Sequence, residues 1–327
     1  MMNVSICITT YNIVSYISQA IEGALMQKTS FPFEIVIGDD GSTDGTRDIL
    51  LSYKEKYPDI VQLVLHDENI GVNRNDISVI ERARGKYLAW CDGDDYWVDE
   101  NKLQKQYEIL ENNPDVSLVH TDWIDYKEES RSYQEQKLIQ NELEKNSFGK
   151  KCIEMLLLNQ SSGCRYSSSM FRKKHFLKAL ELKPQLFLSN HKCNDSAVFI
   201  AMYEYGRFYH LANSSTVYRI RKESLSMSQN KEKRYQYLFG CFRLDAIVID
   251  YYQLSDEVKN IKFKSSLDEL LKYSFFEFKS DLAREVIFKA KSMGYQLSNI
   301  QKILYLASIN KIVRKMLYPF LKIILIY

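Results

Sequence analysis

Glycine is scarce in this chain, with 12 among 327 residues, so each one prompts the question of a turn or a close backbone approach. Net charge is nearly absent as well. Against 42 Asp+Glu stand 44 Lys+Arg, leaving +2, so no global field draws the protein onto nucleic acid and any basic surface must be local. Cysteines at 7, 91, 152, 164, 193 and 241 include no CxxC pair, which removes zinc-site spacing. Their scatter favours reduced thiols and a cytoplasmic compartment over a disulfide framework. The opening MMNVSICITTYN lacks a basic n-region and turns polar too soon for a signal-peptide core. No stretch approaches the roughly 18–20 uncharged apolar residues of a membrane-spanning helix. What remains is a composition of 45% hydrophobic and 26% charged residues, that of an ordinary globular protein large enough for a sizeable core.

The first half alternates between two periodicities. Strands are expected at 4–9, 33–37, 61–65, 87–90 and 117–120. Between them, helices are expected at 13–26, 43–57, 77–84 and 101–112, the second capped by Ser42 or Thr43 and the third stopped by Gly85. This alternation implies crossover connections and a mostly parallel sheet with helices on both faces, an α/β fold. Ligands bind such sheets beyond the carboxyl ends of the strands. Three polar clusters fall there: Thr9 to Asn12, Asp39 to Ser42, and Asp92 to Asp95. Each alone fits turn chemistry; three on one rim point to a site.

Asp92-Gly93-Asp94-Asp95 follows an apolar strand. Three carboxylates this close repel one another and raise their own pKa values, and a divalent cation relieves that repulsion. Hard oxygen ligands suit Mg²⁺ or Mn²⁺, which bind through one or two carboxylates plus substrate phosphates. Gly93 is expected to permit a tight turn and leave space beside a phosphate. The plainer reading of the same four residues is a solvated acidic turn. In Asp39-Asp40-Gly41-Ser42, one carboxylate is placed to accept from a base N–H or ribose hydroxyl, and an Asx turn capping the next helix is the alternative.

In order along the chain, VSICITTYN (4–12), EIVIGDDGSTD (34–44), NIG with Arg74-Asn75, and ARGKYLAWCDGDD (83–95) resemble the family 2 glycosyltransferases of the A-type, Rossmann-like fold. The resemblance is continuous from residue 3 to about 123 and weaker to about 226. It implies a nucleotide-sugar donor, with UDP as the default base, held by Thr9, Tyr11 and Asp40 with Asp39 nearby. It implies a metal pair, Asp92 toward ribose and Asp94 toward the ion, with Asp95 supporting the metal shell or the donor sugar. It further implies inversion at the anomeric carbon, and surface-polysaccharide or glycolipid synthesis with a glycan or lipid-linked glycan as acceptor.

The family's acidic pair at a helix start has its counterpart in Asn194-Asp195, which makes Asp195 the candidate general base that takes the acceptor hydroxyl's proton. The plainer reading of Asp195 is an acid that satisfies a helix N-terminus. The segment VYRIRKESLS (217–226) resembles one that often reads Tyr-Arg-x-His, but Arg221 stands where the His would be. A guanidinium cannot ligate a metal, so Arg221 is read as a clamp on the diphosphate, with a basic strand end at the surface as the alternative. Ser168, His191 and Trp97 are lesser candidates for lining the acceptor or sugar pocket, each equally readable as packing.

Residues 124–150 read as a polar surface insertion, with further strands at 167–171 and 216–220, a helix at 195–205, and helices from about 231 broken near 254 and 294. The expected division is a catalytic domain at 1–229 (nucleotide-sugar half 1–123, acceptor half 151–229) and a helical region at 230–327. The end of the chain, from Lys302, mixes aliphatic, aromatic and basic residues. It suggests a helix lying on the cytoplasmic face of a membrane, with packing against the protein as the alternative. Among competing functions, a receiver domain would end at roughly 120 residues, and a sugar-nucleotide pyrophosphorylase would need a Gly-rich basic N-terminal loop. A non-catalytic nucleotide-sugar or glycan-binding protein on the same scaffold is the other reading.

Overall fold

The computed structural model describes residues 2–138, 145–159, 163–189, 191, 193–221 and 230–326, with side chains through 322. The chain forms two compact units, Met1–Asn190 with Asn194–Met227, and His191–Cys193 with Ser228–Tyr327.

The first unit is built on a nine-stranded sheet. Its parallel half comprises β1 (Val4–Thr10), β2 (Phe33–Asp39), β3 (Val61–Leu65) and β4 (Tyr87–Asp92), in the order β3-β2-β1-β4. β1 lies between β2 and β4 and is parallel to both. Ile6, Ile8, Ile35, Ile37 and Ala89 are fully enclosed here, as expected where helices cover both faces of a parallel sheet. Helices α1 (Ile17–Leu25), α2 (Thr46–Lys56), α3 (Val72–Arg82) and α4 (Lys102–Asn112) connect or follow these strands.

Beyond β4 the sheet turns mixed. A two-residue β5 (Tyr96–Trp97) lies at its far edge, and β6 (Val116–Lys127) runs 12 residues. β7 (Ser132–Gln136) folds back on β6 as a hairpin. Helix α5 (Lys150–Leu157), β8 (Met170–Arg172), α6 (Lys173–Leu182), α7 (Gln185–Leu188), α8 (Asn194–Tyr205) and β9 (Arg207–Ile220) complete the unit. β8 is antiparallel to β4 and β6, while β9 is parallel to β6.

Several boundaries differ from the expected ones for local reasons. Helix α2 begins at Thr46, because Asp44 accepts from the Thr46 amide and Gly45, at φ +98°, turns the chain just before it. Helix α3 starts at Val72, five residues before the first apolar residue that the periodicity could use. Gly85 is no helix cap, since α3 ends at Arg82; a Cβ on Gly85 would meet the Ser5 backbone N at 2.4 Å. Ser167 and Ser168 sit in a 3-10 turn, and the strand starts only at Met170. The polar stretch from 124 is not an irregular insertion throughout, because it contains the end of β6 and the whole of β7; residues 139–144 lie outside the described residues.

The second unit is helical: α9 (Lys231–Tyr251), α10 (Asp256–Glu277), α11 (Ser280–Ser292), α12 (Asn299–Ile309) and α13 (Lys311–Ile326). The breaks near 254 and 294 are present. Two more, at Phe278 and Asn310, carry no Gly or Pro to announce them; Phe278 adopts a left-handed φ of 52°. Phe242, Phe263, Leu267, Leu271 and Phe275 form its interior. Cys193 and Cys241, far apart in sequence, bring their sulfurs side by side in this unit.

Candidate active site

The carboxyl ends of β1, β2 and β4 meet on one rim of the sheet, which gathers the three polar clusters. At the end of β2, Asp39 is fully enclosed: Oδ1 accepts from the Ser42 amide, and Oδ2 is ion-paired with Arg47 at 2.7 Å. Asp40 is also buried, and its two oxygens accept from the amides of Ile70 and Gly71 at 2.7 and 3.1 Å. Burial nevertheless leaves its pKa raised. Asp39 thus anchors α2, and Asp40 ties down the turn that enters α3. Thr9 is partly buried at the end of β1, and Tyr11 is 47% exposed just beyond it.

The acidic loop leaves β4 through a close approach. The Gly93 amide donates to the Thr9 carbonyl at 3.1 Å, and a Cβ on Gly93 would lie 2.7 Å from Ile13 Cδ1 and 2.9 Å from that carbonyl. Glycine is required here because the Ile13 side chain and the Thr9 carbonyl fill the space that a Cβ would need.

The three acids of the loop have different surroundings. Asp92 is partly buried; its Oδ1 accepts from Trp90 Nε1 at 3.0 Å, and its amide donates to Ser167 Oγ at 3.0 Å. Burial, and next the Asp94 carboxylate, push its pKa well up, and Asp195 adds to the rise. Asp94 is partly exposed and forms an ion pair with Arg221. Asp95 is 2% exposed, and both its oxygens accept internal donors: the Arg219 amide at 2.9 Å and Ser167 Oγ at 2.6 Å. Both Asp95 oxygens thus hold β9 and the 3-10 turn against the loop, as both Asp40 oxygens hold the turn into α3.

Arg219 and Arg221 approach from β9. Arg219 donates to the Asp94 carbonyl and to Gln19, and Arg221 lies 4.8 Å from the Tyr16 ring centre. Burial acts to lower the Arg221 pKa, but Asp94, and after it the Tyr16 hydroxyl, outweigh it and hold the pKa raised. The rest of that segment, 222–226, lies outside the described residues. Asp195 is exposed in the first turn of α8, where its Oδ1 accepts from the Ser196 amide at 2.7 Å. Its charge bears on Asp92, so the helix start and the acidic loop share one electrostatic neighbourhood.

Ser168 and Trp97 belong to the packing. Ser168 is buried and donates to the Arg165 carbonyl, while Trp97 is 2% exposed and donates to the Ser167 carbonyl at 2.7 Å. His191 is fully buried and falls in the second unit. Sequence reasoning passed over Ser167, which ties Asp92 and Asp95 together, and Asp76, which is 6% exposed and accepts from Asn194 Nδ2 at 2.7 Å. Burial drives the Asp76 pKa well up despite that bond, and Asp92 drives it further.

A divalent cation fits the Asp92–Asp94 pair: the two repel each other, Asp94 remains partly open, and Mg²⁺ or Mn²⁺ needs no more than two carboxylates when a diphosphate supplies the rest. Among the described residues no group of three or more His, Cys, Asp and Glu forms a complete protein cage.

The fold is shared with solved glycosyltransferases. Residues 1–349 of TarS from S. aureus, crystallised with UDP-GlcNAc, superpose with a TM-score of 0.56 at 18% identity over 97% of this chain and 92% of that one. The mannosyltransferase PcManGT of Pyrobaculum calidifontis, crystallised with GDP-Man and Mn²⁺, gives 0.55 at 16% identity, covering 96% of this chain and 86% of that one. By sequence, an uncharacterised protein of Mycobacterium tuberculosis is 44% identical over 114 residues, 35% of this chain and 33% of that protein. The putative teichuronic acid biosynthesis glycosyltransferase TuaG of Bacillus subtilis is 42% identical over 108 residues, 33% of this chain and 41% of that one. The match thus spans well under half the length of these curated relatives. The profile of Glycosyl transferase family 2 matches residues 5–179, more than half of the chain and the whole acidic rim, and the chain belongs to that family.

Proposed function

We propose that this chain transfers a sugar, with inversion, from a nucleoside-diphosphate donor (UDP by default) to a hydroxyl of a glycan or lipid-linked glycan during synthesis of a cell-surface polysaccharide. The observation that carries this reading is the set Asp92, Asp94 and Asp195: two carboxylates at the end of a parallel strand and a third, solvent-accessible, at a helix start close enough to raise the pKa of Asp92. Family membership, the teichuronic acid relative and fold neighbours crystallised with UDP-GlcNAc or GDP-Man support it.

In this reading Thr9, Tyr11 and Asp40 flank the base. Asp92 and Asp94 would hold Mn²⁺ or Mg²⁺, which would supply charge stabilisation to a diphosphate leaving group. Arg221, already beside Asp94, adds a second cation to the diphosphate. Asp195 accepts the proton of the attacking hydroxyl. The test is release of nucleoside diphosphate from UDP-, GDP- and dTDP-sugars with Mn²⁺, Mg²⁺ or EDTA. Release with one donor, lost in EDTA, is the expected result. Metal-dependent UDP binding without release, even with acceptor glycans supplied, would instead favour a binding protein.

The partner surface proposed for the second unit is an anionic membrane. No described helix is long and apolar enough to cross one. On α13, however, Ile312, Met316 and Phe320 recur every four residues and are 73%, 68% and 67% exposed. No Asp or Glu follows Glu285, while Lys311, Lys315 and Lys322 are exposed on the same helix as that stripe; Arg314 instead donates to the Phe275 and Phe276 carbonyls at 2.7 and 2.6 Å. Such a helix binds by burying its apolar face while its cations meet anionic headgroups. The full chain should co-sediment with vesicles containing phosphatidylglycerol and not with phosphatidylcholine alone. Equal sedimentation by the triple variant Ile312→Ser, Met316→Ser, Phe320→Ser would overturn the assignment.

A further inference from the structure

One side chain of α13 fastens that helix to the end of α10. Arg314 donates from Nε and Nη2 to the Phe275 and Phe276 carbonyls at 2.7 and 2.6 Å, and the Tyr318 ring centre lies 5.8 and 6.1 Å from those of the same two residues. Beside this contact lies a cleft of about 490 Å³, lined by Phe278, Lys311, Arg314, Lys315, Tyr318 and Pro319. Its volume falls within the ~300–1,000 Å³ usual for small-molecule sites. Lys311, Lys315 and Pro319 are exposed, so the cleft opens to solvent. Phe278 forms its wall in a left-handed conformation, at φ 52° and ψ 49°, where a helix end would ordinarily place Gly. A bulky residue held there is strained, and such strain is common at ligand clamps.

The charge of the cleft selects among occupants. Arg314 Cζ lies 5.3 and 5.5 Å from the Phe278 and Tyr318 ring centres, and Lys311 Nζ lies 5.6 Å from that of Phe278. The protein's own cations thus already stand over these rings, so a quaternary ammonium would meet like charge where an anion meets opposite charge. Neither α12 nor α13 carries an Asp or Glu, and Glu277, next to Phe278, is ion-paired with Lys231 at 3.2 Å. Arg314 is engaged with the carbonyls that end α10, which leaves Lys311 and Lys315 to meet the anion. A free phosphate would use the two lysines and leave the rings and Pro319 idle. A phosphate carrying an apolar chain uses both. Position agrees. At about 100° per residue, Lys311, Lys315 and Lys322 form one row of α13, between Arg314 and Tyr318 on one side and the exposed stripe of Ile312, Met316 and Phe320 on the other. A helix lying on that stripe holds the cleft at the depth of the headgroups.

We propose that this cleft binds the headgroup phosphate of a single anionic phospholipid, with Lys311 and Lys315 on the phosphate and the first methylenes of an acyl chain against Phe278, Tyr318 and Pro319. The proposal deepens, and rests on, the reading of α13 as a membrane-facing helix.

The experiment titrates the full chain by calorimetry with dihexanoylphosphatidylglycerol below its micelle concentration, so that no bilayer is present. Dihexanoylphosphatidylcholine and sn-glycerol 3-phosphate run alongside. The first should bind one-to-one, and the other two weaker by about 10-fold or more, since one brings a cation and the other lacks the chain. The double variant Lys311→Gln, Lys315→Gln and the single variant Phe278→Gly should each weaken binding of the first by about 10-fold or more. Gly suits the left-handed turn, so Phe278→Gly should melt no lower than wild type and its loss is that of the wall. The triple serine variant of the exposed stripe should keep its affinity for the monomeric lipid within about twofold while losing vesicles, because its three positions lie outside the cleft. Equal affinity for glycerol 3-phosphate would overturn the lipid assignment, and unchanged affinity in both cleft variants would overturn the site. Binding of vesicles by a wild-type chain that does not bind the monomer would remove the cleft and keep the membrane assignment; failure of both would remove both.

Discussion

Asp195→Asn should lower sugar transfer by about 10²–10⁴-fold while leaving UDP affinity within about twofold of wild type. The size follows from removing a proton acceptor from the transition state. The selectivity follows from position. Asp195 stands in the first turn of α8 with its carboxylate exposed, whereas the residues proposed to flank the base stand at the ends of β1 and β2. Its other evident task, accepting the Ser196 amide at 2.7 Å, passes to the Asn side-chain oxygen, because Asn caps helix ends as well as Asp does. The folded structure should therefore survive, and a thermal melt near that of wild type would confirm that the loss is chemical. Were Asp195 only a helix-terminal acid, the variant would transfer sugar within a few-fold of wild type, and that outcome would remove it from the mechanism. The loss should also fall on kcat more than on KM, since the proton moves only as the acceptor oxygen attacks.

The parallel half of the sheet was legible because its signal is local. In β1, β2 and β4, enclosure on both faces demands unbroken apolar runs, and the polar residues that end those runs are the rim of the site. The far half was less legible for the converse reason. β9 runs from Arg207 to Ile220 with Asn213, Ser214 and Ser215 in its middle, and its pairing with β6 shifts register near Asp122, so no period of two survives to be read. Similar limits apply to the site. Asp92, Asp94 and Asp195 stand in motifs, but Asp76 sits in a polar stretch, NRND, that looks like the outer face of a helix until the fold turns it inward. Ser167 is one of three consecutive serines, and nothing local distinguishes the one that bridges Asp92 and Asp95. Burial of polar residues depends on which distant segments arrive above them, here α8 and the 3-10 turn.

The adjacent acids Asp94 and Asp95 should fail in opposite ways. Asp94→Asn is expected to lower metal-dependent donor turnover by about 10²-fold or more, with little change in melting temperature. Asp94 is partly exposed and ion-paired with the Arg221 guanidinium, so the substitution removes a charge from the rim without opening the interior. Its clearest signature is in binding. Wild-type UDP affinity should weaken in EDTA, and the Asp94→Asn variant should bind UDP equally with and without Mn²⁺. Asp95→Ala should instead destabilise the fold by about 2–4 kcal/mol, because it strands the Arg219 amide and Ser167 Oγ and leaves a void beneath the loop. That cost is large against the total stability of a domain, so a clear drop in melting temperature should precede any kinetic comparison. Melting curves and UDP titrations on the two variants separate the roles. A stable Asp95→Ala variant that loses the effect of Mn²⁺ would move the metal to the inner carboxylate. An Asp94→Asn variant that keeps the effect would show that the pair Asp92–Asp94 is not where the cation binds.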